Sequence, residues 1–187
     1  MEAEPQRSEP SNLHDDFFRA VCSHDEDLAL DLLDRDPSIA GAVREIELPG
    51  HMREKPFSSL IAATDQDMEK LVAALLKAGA DIGSQYGQHG GTALHFAAWH
   101  GHSKVVRLLI EQGAPTEIRC KEWSGTPLGW AVHGSSLHAW TDVRDQAGAA
   151  RLLIEAGAGD EARSNLDGLL CMEPHEDVIK VLREVAQ

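Results

Sequence analysis

Small and apolar residues between positions 92 and 111 return at helical spacing in two short runs. Leucine and alanine mark one face of the first run, and valine, leucine and isoleucine mark a broader face of the second. The pattern predicts one helix over about Ala93–His100 and another over about Ser103–Glu111, with the turn between them at Gly101. Helices of eight or nine residues are marginal on their own. We therefore expect this pair to pack against copies of itself.

Copies of the helix pair occur on both sides of it. Gly79, Gly113 and Gly157 each follow an apolar run, at intervals of 34 and 44 residues. Residues 126–128 repeat the Thr-x-Leu pattern of 92–94 after 34 residues. Glycine in this position suits the left-handed backbone that ends a helix. Self-similarity with a period of about 33 residues predicts a stack of repeat units.

The run TALHFAAWHGHSKVVRLLIEQGA, residues 92–114, closely resembles the consensus of the ankyrin repeat. The resemblance covers about residues 13–187 and implies an all-α solenoid of about five stacked helix-turn-helix units with β-hairpin fingers. The expected units are about 13–38, 57–81, 90–114, 124–158 and 165–187, of which the first and last are caps. Residues 1–12 are expected to form a disordered acidic tail, and the run 126–135 resembles stand-alone ankyrin proteins of bacteria.

Two segments depart from an even array. Val43–Leu48 alternates apolar and charged residues before a Pro-Gly pair, which predicts a short strand and turn. This segment is either an enlarged hairpin finger or an irregular surface loop. In the fourth unit the leading leucines of the paired helices lie 24 residues apart instead of 14, so ten extra residues are expected roughly within 134–146. Insertions in repeat arrays are often on the binding face.

Charge narrows the range of partners. The 187-residue chain carries 17 Lys+Arg and 31 Asp+Glu, a net charge of −14. An acidic chain repels phosphate backbones and anionic membranes, which argues against nucleic acid and lipid surfaces as partners. The charge is either a solvated surface that favours solubility or a feature that attracts a basic protein or peptide. The three cysteines are isolated, and the chain has no apolar run of 18 residues and no secretory signal. These features predict a cytoplasmic monomer with free thiols.

The ankyrin resemblance implies a non-catalytic module that binds a protein or peptide partner in a concave groove. In that family the groove is formed by finger tips and by the ends of the first helices. Tryptophan is a favoured anchor in such interfaces because it buries a large area at a low entropic cost. Carried onto this sequence, with the insertion included, the partner-binding positions are Gln88, His89, Trp99, His100, Glu122, Trp123, His133, His138 and Trp140.

Several aromatic residues also allow a structural interpretation. Trp99 and Trp123 either anchor a partner or pack inside the molecule, whereas Trp130, in the middle of a helix, is expected in the core. The resemblance implies that His95 bridges to neighbouring backbone. Gly129 stands where the family would have the equivalent histidine, so this bridge is expected to be lost in the fourth unit.

A second class of function is a small-molecule or metal site, enzymatic or not, between the insertion and the groove. Its candidate residues are His100, His102, His133, His138, Asp142 and Asp145, although the resemblance implies that His102 is the family's usual turn histidine. The chain has no Gly-rich phosphate loop, nucleophile elbow or His-Glu-x-x-His, so no catalytic residue, cofactor or metal ligand is assigned. A concave pocket of roughly 300 Å³ or more, lined by the insertion with Trp99, His100, Trp123 and His133, favours this class. An open, shallow face favours protein binding.

Overall fold

The computed structural model describes residues 12–46, 55–87, 89–137 and 145–185. Within these ranges the chain is mostly helical. The helices are α1 (Leu13–Cys22), α2 (Glu26–Arg35), α3 (Ser59–Asp65), α4 (Glu69–Lys77), α5 (Ala93–His100), α6 (Ser103–Glu111), α7 (Pro127–Leu137), α8 (Gln146–Leu153), α9 (Gly159–Ser164), α10 (Leu166–Leu170) and α11 (Glu176–Val185). The described chain also contains two strands, β1 (Val43–Ile46) and β2 (Lys55–Ser58), and a short 3-10 helix, Pro37–Gly41. Most of the expected tail lies outside the described residues.

Helices α5 and α6 begin and end where the apolar pattern predicts. Gly101 ends α5 in the left-handed conformation, with φ 69°. Gly79, Gly113 and Gly157 follow the second helices of three units, α4, α6 and α8, with φ values of 94°, 85° and 122°. Because L-residues with a side chain rarely adopt such values, these glycines mark equivalent ends, and the predicted equivalence is confirmed.

The helices stack in two layers. In one layer α5 packs between α3 and α7, and in the other α6 packs between α4 and α8. Leu94 of α5 and Leu109 of α6 are completely buried, and each such burial stabilises the fold by about 1.5–3 kcal/mol. Small residues let α5 and α7 approach closely. At Gly134 a Cβ would overlap the backbone carbonyl oxygen of Trp99.

The alternating segment forms a strand. β1 pairs antiparallel with β2, from Val43 opposite Ser58 to Ile46 opposite Lys55. Phe57, buried in β2, attaches the hairpin to the stack. The structure therefore favours the enlarged finger over the irregular loop, and residues 47–54 between the two strands lie outside the described ranges.

The fourth helix pair differs from expectation. α7 continues through Leu137, so the first residues of the expected insertion are helical, and residues 138–144 lie outside the described ranges. Beyond α8, Gly157 interrupts the helical backbone with φ 122°, and α9 begins two residues later, where a connection was expected. Ala158 and Ala162 are buried there, and their packing against the stack explains why these residues fold as helix.

Candidate functional site

An aromatic cluster lies between α5, α7 and the finger before α7. Trp130 of α7 is at its base, only 4% exposed, as predicted for a core residue. Its ring centroid lies 5.1 Å from that of His95, 5.4 Å from Phe96 and 5.6 Å from Trp99. The indole Nε1 of Trp130 is buried and has no hydrogen-bond partner among the described residues. This unpaired donor is a cost to stability.

Three further rings stand around Trp130. The Trp99 and His133 rings lie 5.2 Å apart and cross at 60°. The Trp123 ring lies 6.1 Å from Trp130 and 6.5 Å from His133, crossing the latter at 82°. Trp99 is partly buried against the core, whereas Trp123 is 51% exposed. Trp99 thus packs mainly inside the molecule, whereas Trp123 lies at the open surface.

These rings line a partly open cavity of about 350 Å³. Its lining, which is almost entirely apolar, is Trp99, Trp123, Gly125, Gly129, Trp130, His133 and Met172. Met172, which follows α10, is 39% exposed at the same cavity. The volume exceeds the roughly 300 Å³ typical of the smallest ligand pockets.

Gly129 contributes to this space by lacking a side chain. A Cβ at this position would meet only the Thr126 hydroxyl oxygen, at 3.6 Å. The backbone N–H of Gly129 donates to that same oxygen, at 3.2 Å. The residue that departs from the repeat consensus therefore leaves open the place where a side chain would lie.

His89 and Glu122 hold the exposed edge of the cluster. The His89 ring stacks on Trp123, with centroids 3.8 Å apart and planes tilted by 32°. Its Nδ1 lies 2.5 Å from Glu122 Oε2, and the Glu122 backbone N–H donates to the His89 carbonyl at 3.3 Å. His89 has φ 89°, an unfavourable value for a residue with a side chain. Several contacts at once therefore keep the strained residue, and with it Trp123, in place.

His95 makes the predicted bridge to neighbouring backbone. Its Nδ1 accepts from the Thr92 backbone N–H at 3.1 Å, so Nε2 carries the proton and donates to the Gly125 carbonyl, also at 3.1 Å. Burial lowers the pKa of His95 to about 4, although the carbonyls of Gly125 and Ile118 favour the protonated form. The ring is neutral at pH 7 and fixes Gly125 beside the cavity.

His100 and His102 face the second unit. His100 Nε2 lies 3.0 Å from Asp65 Oδ1, and the Asp65 side chain is 1% exposed. His102 Nδ1 donates to the Thr64 carbonyl at 3.0 Å, and burial lowers the pKa of His102. These contacts join α3 to the end of α5. No group of three or more His, Cys, Asp or Glu suited to a metal ion occurs in the described part of the chain.

The structure brings most of the described candidates together. His89, Trp99, Glu122, Trp123 and His133 meet at the cluster. His100 pairs with Asp65 instead and does not line the cavity. Gln88, His138 and Trp140 lie outside the described residues.

Sequence reasoning missed Gly129 and Met172 as lining residues. The glycine in place of the consensus histidine was the one available signal. Nothing in the local sequence connects Met172, about 40 residues further along, to this place.

The chain matches a family model described as ankyrin repeats, in three copies, over residues 59–160. It is 35% identical over 126 residues to the E3 ubiquitin-protein ligase KEG of Arabidopsis thaliana, covering 60% of this chain and 8% of that protein. It is 32% identical over 106 residues to the ankyrin repeat and SAM domain-containing protein 6 of Rattus norvegicus, covering 57% and 11%. The palmitoyltransferase Hip14 of Drosophila melanogaster is 29% identical over 113 residues, covering 60% and 16%. The chain thus spans a small part of each relative.

Proposed function

Because the chain belongs to the ankyrin repeat family, whose repeats are a general protein-interaction module, we propose that it is a non-catalytic module that binds a protein partner at the aromatic cavity. The docking surface consists of Trp123 and Met172 at the exposed edge, with Trp99, Trp130 and His133 behind them.

The observation that carries this proposal is the exposure of large apolar side chains at one place. The described residues include three exposed large hydrophobic side chains, Leu28, Trp123 and Met172. Two of these three lie at the cavity. An exposed apolar patch beside a preformed pocket is a typical site for a partner's anchoring side chain.

The Trp123 ring also fits an anchoring role because its position is already restricted. His89 stacks on one side of it, and the Glu122 carboxylate holds His89. A side chain that is ordered before binding loses less conformational entropy on association. This restriction supports Trp123 as a contact that contributes strongly to affinity.

The net charge of −14 favours a basic partner, since opposite charge speeds diffusional encounter. None of the described helices combines the length and the apolar character needed to cross a bilayer. We propose that the chain meets its partner in the cytoplasm.

Site-specific photo-crosslinking in the native host tests the docking surface. A benzophenone amino acid is placed at Trp123 in one variant and at Leu28 in a control, since both residues are exposed, at 51% and 44%. We expect a discrete crosslinked protein from position 123, competed by the unlabelled wild-type chain, and none from position 28. Equal crosslinking at both positions, or none at 123, would contradict the proposed surface.

One observation favours a second candidate, the binding of a free small molecule. The cavity volume of about 350 Å³ reaches the range of ligand pockets, roughly 300–1,000 Å³. Its apolar lining offers His133 as the one titratable side chain among those described, which favours binding over acid–base chemistry.

A further inference from the structure

We propose that the cavity binds the quaternary ammonium head of a trimethylated lysine on the partner protein. This inference rests on the proposed docking function and names the group that the pocket recognises. It is carried by the ring geometry, by the lack of carboxylate, amide and hydroxyl side chains in the lining and by the charge of the chain.

The rings form adjacent walls instead of a single stack. Trp99 crosses Trp130 at 70° and His133 at 60°, with centroids 5.6 Å and 5.2 Å apart. Trp123 closes another side, crossing His133 at 82°. A cation within about 6 Å of an aromatic centroid is attracted by the ring quadrupole, most strongly by tryptophan. Three tryptophans at one cavity therefore favour a cationic occupant.

The side chains that line the cavity favour some cationic groups over others. Its described side chains include no carboxylate, amide or hydroxyl group. An ordinary lysine ammonium has three N–H donors and an arginine guanidinium has five. The His133 ring offers at most one acceptor nitrogen, so most of these donors would lose water without gaining an acceptor. A trimethylated ammonium has no N–H to satisfy, and its methyl groups suit apolar walls. The chemistry of the pocket thus matches the alkylated cation.

The dimensions and the charge agree with this occupant. About 350 Å³ accommodates the head and part of an alkyl stem, and Met172 lies where a flexible, polarizable side chain can contact that stem. The net charge of −14 attracts a cationic segment over longer distances than the ring contacts do. A partner protein with a methylated lysine combines both features.

A neutral apolar side chain of the same shape is the competing occupant, and a matched pair of probes separates the two. The full chain is titrated with Nα-acetyl-trimethyllysine methylamide, with its tert-butyl carbon isostere and with the unmethylated lysine amide. Binding is followed by calorimetry and by the NMR signals of the tryptophan indole N–H groups. We expect the trimethylated probe to bind at least about tenfold more tightly than either of the others, since desolvated cation–π contacts are strong.

Substitution with 5-fluorotryptophan adds an electronic test without changing the size of the rings appreciably. Fluorine withdraws electron density from the ring face, so affinity for the trimethylated probe should fall by at least about threefold while the isostere's affinity stays unchanged. Helical circular dichroism of the labelled chain checks that the fold is retained. An unchanged affinity for the cation would overturn the proposal.

Gly129→Leu provides a blocking variant. A side chain at this position has room at its Cβ and would fill the cavity, so binding of the trimethylated probe should be lost. Gly41→Leu is the matched control, because a Cβ there meets nothing within 4 Å, and it should bind as the wild type does. Binding retained by Gly129→Leu would place the probe elsewhere and overturn the assignment.

The remaining outcomes are also decisive. Equal binding of the carbon isostere, or no binding of any probe, overturns the cation assignment, yet crosslinking from position 123 would still support protein docking. Free choline is titrated alongside. If it binds about tenfold more tightly than the trimethyllysine amide, the site belongs to a free small molecule and the partner-lysine assignment is wrong.

Discussion

Single residues at the cluster contribute to the cavity in different ways. His95 is fully buried, accepts from Thr92 and donates to Gly125, so it supports the cavity wall without lining the cavity. Trp130 packs against His95 and also lines the cavity. Trp123 contributes mainly an exposed ring at the edge of the cavity. The cavity therefore combines buried packing contacts at its base with an exposed ring at its edge.

The buried imidazole makes stability depend on pH. Its pKa is about 4 in the folded chain and about 6.5 when unfolded, so between these values the unfolded state binds more protons. The His95 contribution is therefore complete above pH 6.5 and is lost as pH falls towards 4, by up to about 3 kcal/mol. We expect His95→Gln, which cannot titrate, to reduce the slope of unfolding free energy against pH in this range. The measurement is urea denaturation at a series of pH values. Parallel slopes for the two proteins would contradict the prediction.

Among the elements, the contact between α5 and α7 positions the walls of the aromatic cavity. Trp99 lies near the end of α5 and Trp130 and His133 lie on α7, so any change in the helix separation moves the walls of the cavity. The close approach depends on Gly134, which faces the carbonyl of Trp99. The end of α7 is also tied to the last helix pair, because Ser135 Oγ accepts from the His175 backbone N–H at 3.2 Å.

Gly134→Ala tests this packing. Alanine favours a helix over glycine by about 1 kcal/mol, but its methyl group would overlap the Trp99 backbone, and overpacking typically costs about 1–3 kcal/mol. Because backbone cannot move aside as a side chain can, we expect net destabilisation of about 1–2 kcal/mol. Gly41→Ala, in open space, is the control. Chemical denaturation measures both, and a Gly134→Ala protein as stable as wild type would show that the helices can separate at little cost.

At the scale of the whole molecule, stability is distributed along the stack. Central helices such as α5 and α6 have neighbours on both sides, whereas α1, α2 and α11 lie at the two ends of the described chain. In linear arrays each unit is stabilised mainly by its nearest neighbours. Opening at the ends therefore costs less free energy than opening in the middle.

Native-state hydrogen exchange measures this gradient. We expect the slowest amide exchange in α5 and α6 and progressively faster exchange towards α1 and α11, because end units lose one interface instead of two. Mass spectrometry of peptic peptides gives the exchange rate of each helix. Uniform protection along the chain would indicate one global opening event in place of local opening at the ends.

The sequence alone was sufficient to predict the repeat architecture. Helix bounds such as Ala93–His100 and the left-handed glycines depend on local periodicity and backbone sterics, which a short stretch of chain already contains. The strand at Val43–Ile46 follows from the same local rule. His95 was predictable because its bridge lies within the repeat motif.

Only the tertiary structure decided which of the candidate residues share a site. His100 contacts Asp65 and does not line the cavity, whereas Met172, which lies far along the chain, does line it. The continuation of α7 and the formation of α9 likewise depend on packing with neighbouring units. Contacts between distant segments depend on how the units stack, and local periodicity does not determine that arrangement.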